Sequence, residues 1–165
     1  MSIKIIGTGS ALPEKSVANE DLEKLVDTSD QWIRERTGIG SRHISTGETV
    51  AQLSAAACEK ALTAAGRNRE EVDLLLVATC YPETGIPCVA CQVQAAVGAV
   101  NAVAFDINAA CSGFLFALHT AWAYMEAGIC RNALIVGAEV LSKLVDWNDR
   151  GTCILFGDGA GAVLA

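Results

Sequence analysis

The sequence predicts an α/β fold built on a mostly parallel sheet, and three observations carry that expectation. Apolar runs of strand length alternate with stretches of helical period along the whole chain. Residues 74–79 form a continuous apolar run, as in a strand buried on both faces of a parallel sheet. The composition also supplies a sizeable core, since 52% of the 165 residues are hydrophobic and 19% are charged. Disordered chains are poor in apolar residues, so disorder is excluded.

The elements follow in order. Residues 3–6 read as a short strand, and Asn19 as the cap of a helix carrying Leu22, Leu25 and Val26. Thr28-Ser29-Asp30-Gln31 has capping-box spacing, and the helix it starts ends before Gly38. Thr49-Val50-Ala51-Gln52 repeats that spacing and opens an Ala-rich helix that ends at Gly66. After the strand at 74–79, Pro87 opens a helix over 87–97, followed by a strand over 103–108. A helix over 112–127, closed by Gly128, leads to a strand over 133–136. Residues 153–156 and 160–164 complete the strands. Strands separated by helices imply βαβ units. The apolar, Gly-rich last residues carry no polar tail, a pattern expected of a fragment.

Charge and hydropathy narrow the function classes. Twelve Lys+Arg against 19 Asp+Glu leave a net charge of −7, and with three Trp, two Tyr and four Phe this does not suit a nucleic-acid surface. Mean hydropathy is +0.35, yet the most apolar stretch, residues 113–125, is interrupted by His119 and Thr120. No run approaches the roughly 18 apolar residues of a membrane span. In residues 1–12, Gly7, Thr8 and Gly9 break the apolar run too early for a signal peptide.

Seven cysteines, an odd number, suggest reduced thiols and a cytoplasmic protein. Cys88-Val89-Ala90-Cys91 is a single CxxC, the spacing of a redox pair or of half a zinc site. No second CxxC exists and only two histidines could complete a ligand set, so packing of two small apolar groups after Pro87 is the plainer reading, and no metal is expected. Gly7-Thr8-Gly9 and Gly157-Asp158-Gly159-Ala160-Gly161-Ala162 resemble nucleotide-binding loops only superficially. Pro13 and Glu14 stand where the first would need a helix, and close backbone packing accounts for both.

The sharper signal is Asp106-Ile107-Asn108-Ala109-Ala110-Cys111-Ser112-Gly113-Phe114. An apolar strand runs through small residues into a Cys and then a helix, so the sulfur meets the positive end of the helix dipole, which favours an anion. The helix behind it is apolar nearly all round (Phe114, Leu115, Phe116, Leu118, Ala121, Trp122 and Met125), which predicts a buried support. Cys111 is thus either a nucleophile or an inert core thiol. A thiolate nucleophile usually has a histidine nearby. His119 lies about 12 Å further along the same helix and is expected in a core or groove, while His43 belongs to a polar loop. Trp32 and Arg36, at i and i+4, form either a stacking platform with a phosphate ligand or a half-buried indole covered by a surface Arg. Asp146, Asp149 and Arg150 read as a solvated loop.

Taken together, these segments resemble β-ketoacyl-acyl-carrier-protein synthase III, a condensing enzyme of the thiolase superfamily. The matching stretches are residues 5–13, 32–39, 105–114, and Asp149-Arg150-Gly151-Thr152 running into residues 156–161. The resemblance implies that residues 1–165 are the amino-terminal half-domain of a five-layered α-β-α-β-α fold with a mixed sheet and a buried central helix. It implies that Cys111 accepts an acyl group from acyl-coenzyme A, a substrate, with no cofactor. Trp32 and Arg150 would sandwich the adenine beside Thr28 and Arg36. Ile86, Leu141, Leu155 and Phe156 would line the acyl pocket, Ile86 coming from the second copy of a homodimer. Condensation with malonyl-acyl-carrier-protein, which initiates fatty acid synthesis, would draw its His, Asn and carrier-docking surface from the other half. The alternatives are a non-catalytic half-domain that self-associates or binds coenzyme A, or another acyltransferase of the superfamily.

Overall fold

The computed structural model describes residues 3–165. Met1 and Ser2, where the segment read above as no signal peptide begins, lie outside the described residues. A five-stranded mixed sheet organises the chain, in the order β1 (Gly7–Ala11), β7 (Asp158–Leu164), β6 (Ala133–Val140), β4 (Leu74–Ala78), β5 (Val103–Ile107). β4 runs parallel to both β5 and β6, while β7 is antiparallel to β1 and β6. Parallel and antiparallel pairings therefore share the sheet equally.

Period-two alternation divides the core. Leu75 and Val77 of β4 face α3 (Val50–Ala65) and α4 (Val89–Val97), whereas Leu74, Leu76 and Ala78 face α5 (Gly113–Glu126). All five β4 residues are buried, as the continuous apolar run requires. A satellite cluster of Leu22, Ile33, Cys153 and Ile154 joins α1 (Asn19–Leu22), α2 (Asp30–Thr37) and α6 (Arg150–Cys153). Beside it, β2 (Ser16–Ala18) pairs antiparallel with β3 (Ser41–His43).

Several elements differ from the sequence reading. The first strand is 7–11, not 3–6, and its glycines are packing sites. A Cβ at Gly7 or Gly9 would run into the carbonyl of Ala61 or Ala57 on α3, so the bare backbone lets that helix lie directly on the strand. Residues 150–153 are helix where 153–156 was expected as a strand. The Asp149 carboxylate accepts from the Gly151 amide at 2.9 Å and the Thr152 hydroxyl at 2.8 Å, and this local cap overrides the short apolar run. Asn19 sits inside the first turn of α1, buried, donating to Asp30 and the Ile39 carbonyl and accepting from Arg42. Ser29, not Thr28, caps α2, its hydroxyl taking the Trp32 amide at 3.1 Å. The box at Thr49 forms as read, reciprocally with Gln52. Finally, α5 is buried on one face only: Leu115 and Phe116 remain 57% and 56% exposed, because a single sheet covers it.

Candidate active site

Cys111 stands where β5 hands over to α5. The chain leaves β5 through Asn108 and Ala109, makes the short 3₁₀ turn Ala110–Ser112, and enters α5 at Gly113. Ala110 adopts φ 47°, a left-handed conformation that an L-residue holds only at a cost. Asn108 braces the turn at both ends. Its Oδ1 accepts from the Ala110 amide at 3.3 Å and its Nδ2 donates to the Cys80 carbonyl at 3.4 Å. Gly113 brings the head of α5 against Ala78, whose Cβ would lie 3.0 Å from a Cβ added there. The outcome is an exposed Cys111 thiol on a turn fixed to the ends of β4 and β5.

A pocket of about 170 Å³ opens beside it, lined by Cys111, Ala78, Cys80, Phe114, Glu139 and Leu141 among others. Cys80 and Glu139 were not singled out in the sequence. Both lie at the carboxyl ends of neighbouring strands, where α/β sheets place ligands, and that is the signal that points to them. The Glu139 carboxylate accepts from the Cys80 amide at 2.7 Å and the Thr79 hydroxyl at 3.2 Å. Its hydrogen bond with the Cys80 thiol, then burial, then its charge push that thiol up to about 11. Cys80 is therefore held neutral next to the Cys111 site.

Leu141 also borders a larger pocket of about 350 Å³, shared with Leu144, Val145, Asp146, Thr152 and Phe156. Two of the expected acyl-pocket residues, Leu141 and Phe156, thus meet there. Leu155 is exposed and lines neither pocket, and Ile86, 93% exposed, projects from the loop between β4 and α4.

The structure brings Trp32, Arg36 and Arg150 into one stack. The Arg36 guanidinium lies 4.2 Å and that of Arg150 4.7 Å from the indole centroid. Arg36 also donates to the Trp32 carbonyl at 3.4 Å, and Arg150 reaches the Asp27 carbonyl at 3.1 Å. Arg150 is thus part of this stack as well as of an exposed segment. Thr28 precedes the Ser29 cap, with a buried hydroxyl that has no partner. Buried Arg42 donates to Asn19 and to the carbonyls of Val17 and Ile154, tying α1, β2 and the end of α6 together. Burial lowers its pKa.

Neither histidine joins Cys111. His43 donates from Nδ1 to the Pro13 carbonyl at 2.6 Å, and His119 is exposed on α5 rather than set in a core or groove. Among the described residues no group of three or more His, Cys, Asp or Glu could hold a metal ion, and no helix is long and apolar enough to cross a membrane.

Comparison with known proteins interprets this geometry. The family described as 3-oxoacyl-[acyl-carrier-protein (ACP)] synthase III matches residues 105–165, the segment from β5 through Cys111 to β7. The chain is 56% identical over 163 residues to the β-ketoacyl-[acyl-carrier-protein] synthase III of Clostridium acetobutylicum, covering 99% of this chain and 50% of that protein. The crystal structure of 3-oxoacyl-[acyl-carrier-protein] synthase III from Aquifex aeolicus VF5 superposes with a TM-score of 0.95 at 52% identity, covering 98% of this chain and 52% of that one. Along almost its whole length the chain is similar to synthases III. The priming β-ketosynthase of the R1128 polyketide pathway shares the fold too, with a TM-score of 0.93 at 38% identity over 98% of this chain and 48% of that one. The architecture is thus thiolase-like, and the family is one of condensing enzymes. The chain spans about half the length of the curated synthases III it matches.

Proposed function

We propose that this chain is the amino-terminal, acyl-accepting half-domain of a synthase III, spanning residues 1–165. In this reading the Cys111 sulfur attacks the thioester carbonyl of acyl-coenzyme A, the bond to the coenzyme sulfur breaks, and coenzyme A leaves as the thiol. The acyl chain runs from Cys111 past Leu141 toward Phe156, with Leu155 and a second copy's Ile86 at its margins. Condensation then needs malonyl-acyl-carrier-protein, whose decarboxylation supplies the carbanion that attacks the acyl-Cys111 carbonyl. The histidine and asparagine that promote this step, and the surface that docks the carrier, belong to the other half.

Trp32 and Arg150 form the adenine clamp in this reading, with Thr28 and Arg36 beside the nucleotide. Arg150 already rests on the indole, 4.7 Å from its centroid, so adenine enters by displacing the guanidinium from the ring. A homodimer through the edge strand β5 and a reducing cytoplasm, which suits seven free thiols, complete the proposal.

One observation carries the reading: an exposed thiol on a braced turn at the head of α5, beside a pocket that shares Leu141 with a larger apolar one. The test is incubation with radiolabelled acetyl-coenzyme A, followed by peptide mapping. Label on Cys111, lost in Cys111→Ala, is the expected result. Label on Cys80, Cys88 or Cys91 with none on Cys111 would overturn it.

A further inference from the structure

The CxxC is untouched by the acyl-transfer reading, and the structure gives it a second chemistry. Cys88 is the N-cap of the nine-residue helix α4 and Cys91 lies in its first turn. Their sulfurs are 3.4 Å apart, in contact and without an intervening group. Both side chains are half-buried, so a small solute reaches them, whereas Cys58, Cys130 and Cys153 are buried. Residues three apart in a helical turn hold their Cα atoms about 5 Å apart, within the range of about 4.4–6.8 Å that a disulfide spans, and forming the bond requires the side chains to turn until the sulfurs close to about 2.05 Å. The anchoring of α4 leaves that movement free. Asp106 of β5 accepts from the Val89 amide at 2.9 Å and the Ala90 amide at 2.7 Å, so the helix start is held by backbone bonds that do not involve either sulfur.

We propose that Cys88 and Cys91 form a reversible dithiol–disulfide site, separate from Cys111, whose oxidant is a hydroperoxide. The Cys88 sulfur, at the cap, attacks one peroxide oxygen. The O–O bond breaks, leaving a sulfenic acid on Cys88 and releasing water when the peroxide is hydrogen peroxide. The Cys91 sulfur then attacks the Cys88 sulfur, the S–O bond breaks, and the departing hydroxide takes the Cys91 proton as a second water. Two thiols are oxidised to one disulfide and one peroxide is reduced to two waters. A dithiol reductant reverses the change by thiol–disulfide exchange. Cys91 suits the resolving role, since contact with Cys88, then burial, then the Cys88 and Asp106 charges hold its thiol in the protonated form until the sulfenic acid appears.

The experiment treats the reduced 165-residue chain with one equivalent of hydrogen peroxide at neutral pH, blocks remaining thiols with N-ethylmaleimide, and maps them by mass spectrometry. Cleavage after Glu83 and Phe105 isolates Cys88 and Cys91 from the other cysteines. The expected peptide lacks maleimide and weighs about 2 Da less than the dithiol, and dithiothreitol restores two labelled cysteines. Cys111 stays labelled as in untreated protein. Cys88→Ser keeps a good capping residue and is expected to abolish the mass loss. Full labelling of both thiols after peroxide, oxidation collecting on Cys111 or Cys80 instead, or a mass loss that survives in Cys88→Ser would each overturn the proposal.

Discussion

Two thiols at one pocket illustrate how single contacts divide chemistry between like residues. Cys111 is exposed on a helix head, whereas Cys80 is bound to a carboxylate that disfavours its anion and holds it near 11. At pH 8 a thiol of that pKa is ionised to roughly one part in a thousand, so Cys80 is expected to resist iodoacetamide. Glu139→Gln removes the charge that holds the proton in place. Each unit by which the Cys80 pKa falls raises its thiolate tenfold, so alkylation of Cys80 is expected to quicken by about tenfold or more. Site-resolved alkylation kinetics measure this, and an unchanged Cys80 rate in the variant would refute the Glu139 account. Cys111 was legible in the sequence because one motif carries strand, small residues, Cys and helix together. Cys80 and Glu139 were not, because their pairing is made only when β4 and β6 lie side by side.

At the scale of elements, legibility followed the range of the forces. α3 was read almost to the residue because its start and stop are local: Thr49 and Gln52 cap each other, and Gly66 takes φ 61°. β1 was misplaced because its glycines look like turn residues until α3 is laid upon them. Gly9→Ala would drive a methyl into the Ala57 carbonyl and the Ala61 amide, both backbone groups that cannot step aside. Overpacking of this kind costs about 1–3 kcal/mol, so a fall of several degrees in Tm is expected in thermal denaturation, and an unchanged Tm would mean that α3 does not lie on the strand. The same helix carries Cys58, whose complete burial pushes its thiol up to about 12. Its unfolded-state value is about 8.5, so above that pH the unfolded chain sheds a proton the folded chain keeps. The stabilisation is whole below about pH 8.5 and declines through the window up to about 12, by at most roughly 1.4 kcal/mol per pH unit. Urea melts between pH 8 and 11 should show a shallower decline in Cys58→Ala than in the parent, and parallel declines would contradict the assignment.

Over the whole molecule, the sheet is covered by α3 and α4 on one face and by α5 on the other, and among the described residues no further layer covers the outer side of α5 at Leu115 and Phe116. Leu115, Phe116 and Trp122 are exposed there, and the sequence reading of an all-apolar helix as buried failed because burial depends on what lies beyond the chain's own layers. Apolar surface gathered in this way marks an interface. The 165-residue chain is therefore expected to self-associate or bind a hydrophobic dye, and sedimentation as a monodisperse monomer without dye binding would contradict it.

The chemistry of the chain taken alone can be bounded from the same geometry. In the proposed reading, condensation on acyl-Cys111 needs a carbanion from malonyl decarboxylation and donors for the oxygen that gathers charge. The pocket beside Cys111 offers Cys80 and Glu139, one a neutral thiol engaged with the other. His43 is spent on the Pro13 carbonyl, and His119 is exposed two turns along α5. Loss of a positioned acid–base group costs about 10²–10⁴-fold. Loss of an oxyanion donor costs about 10²–10³-fold. Either brings turnover close to background, whereas attack of the sulfur on a thioester depends on the turn and helix that this chain already contains. The expected outcome is a chain that takes label from acetyl-coenzyme A but makes no β-ketoacyl product when malonyl-acyl-carrier-protein is added. Mixing with a separately expressed remaining half of a synthase III should restore product, and this must fail with Cys111→Ala if the sulfur is the acyl carrier. Robust condensation by the 165-residue chain alone would show that the residues around Cys111 suffice, and would overturn the division of labour between halves.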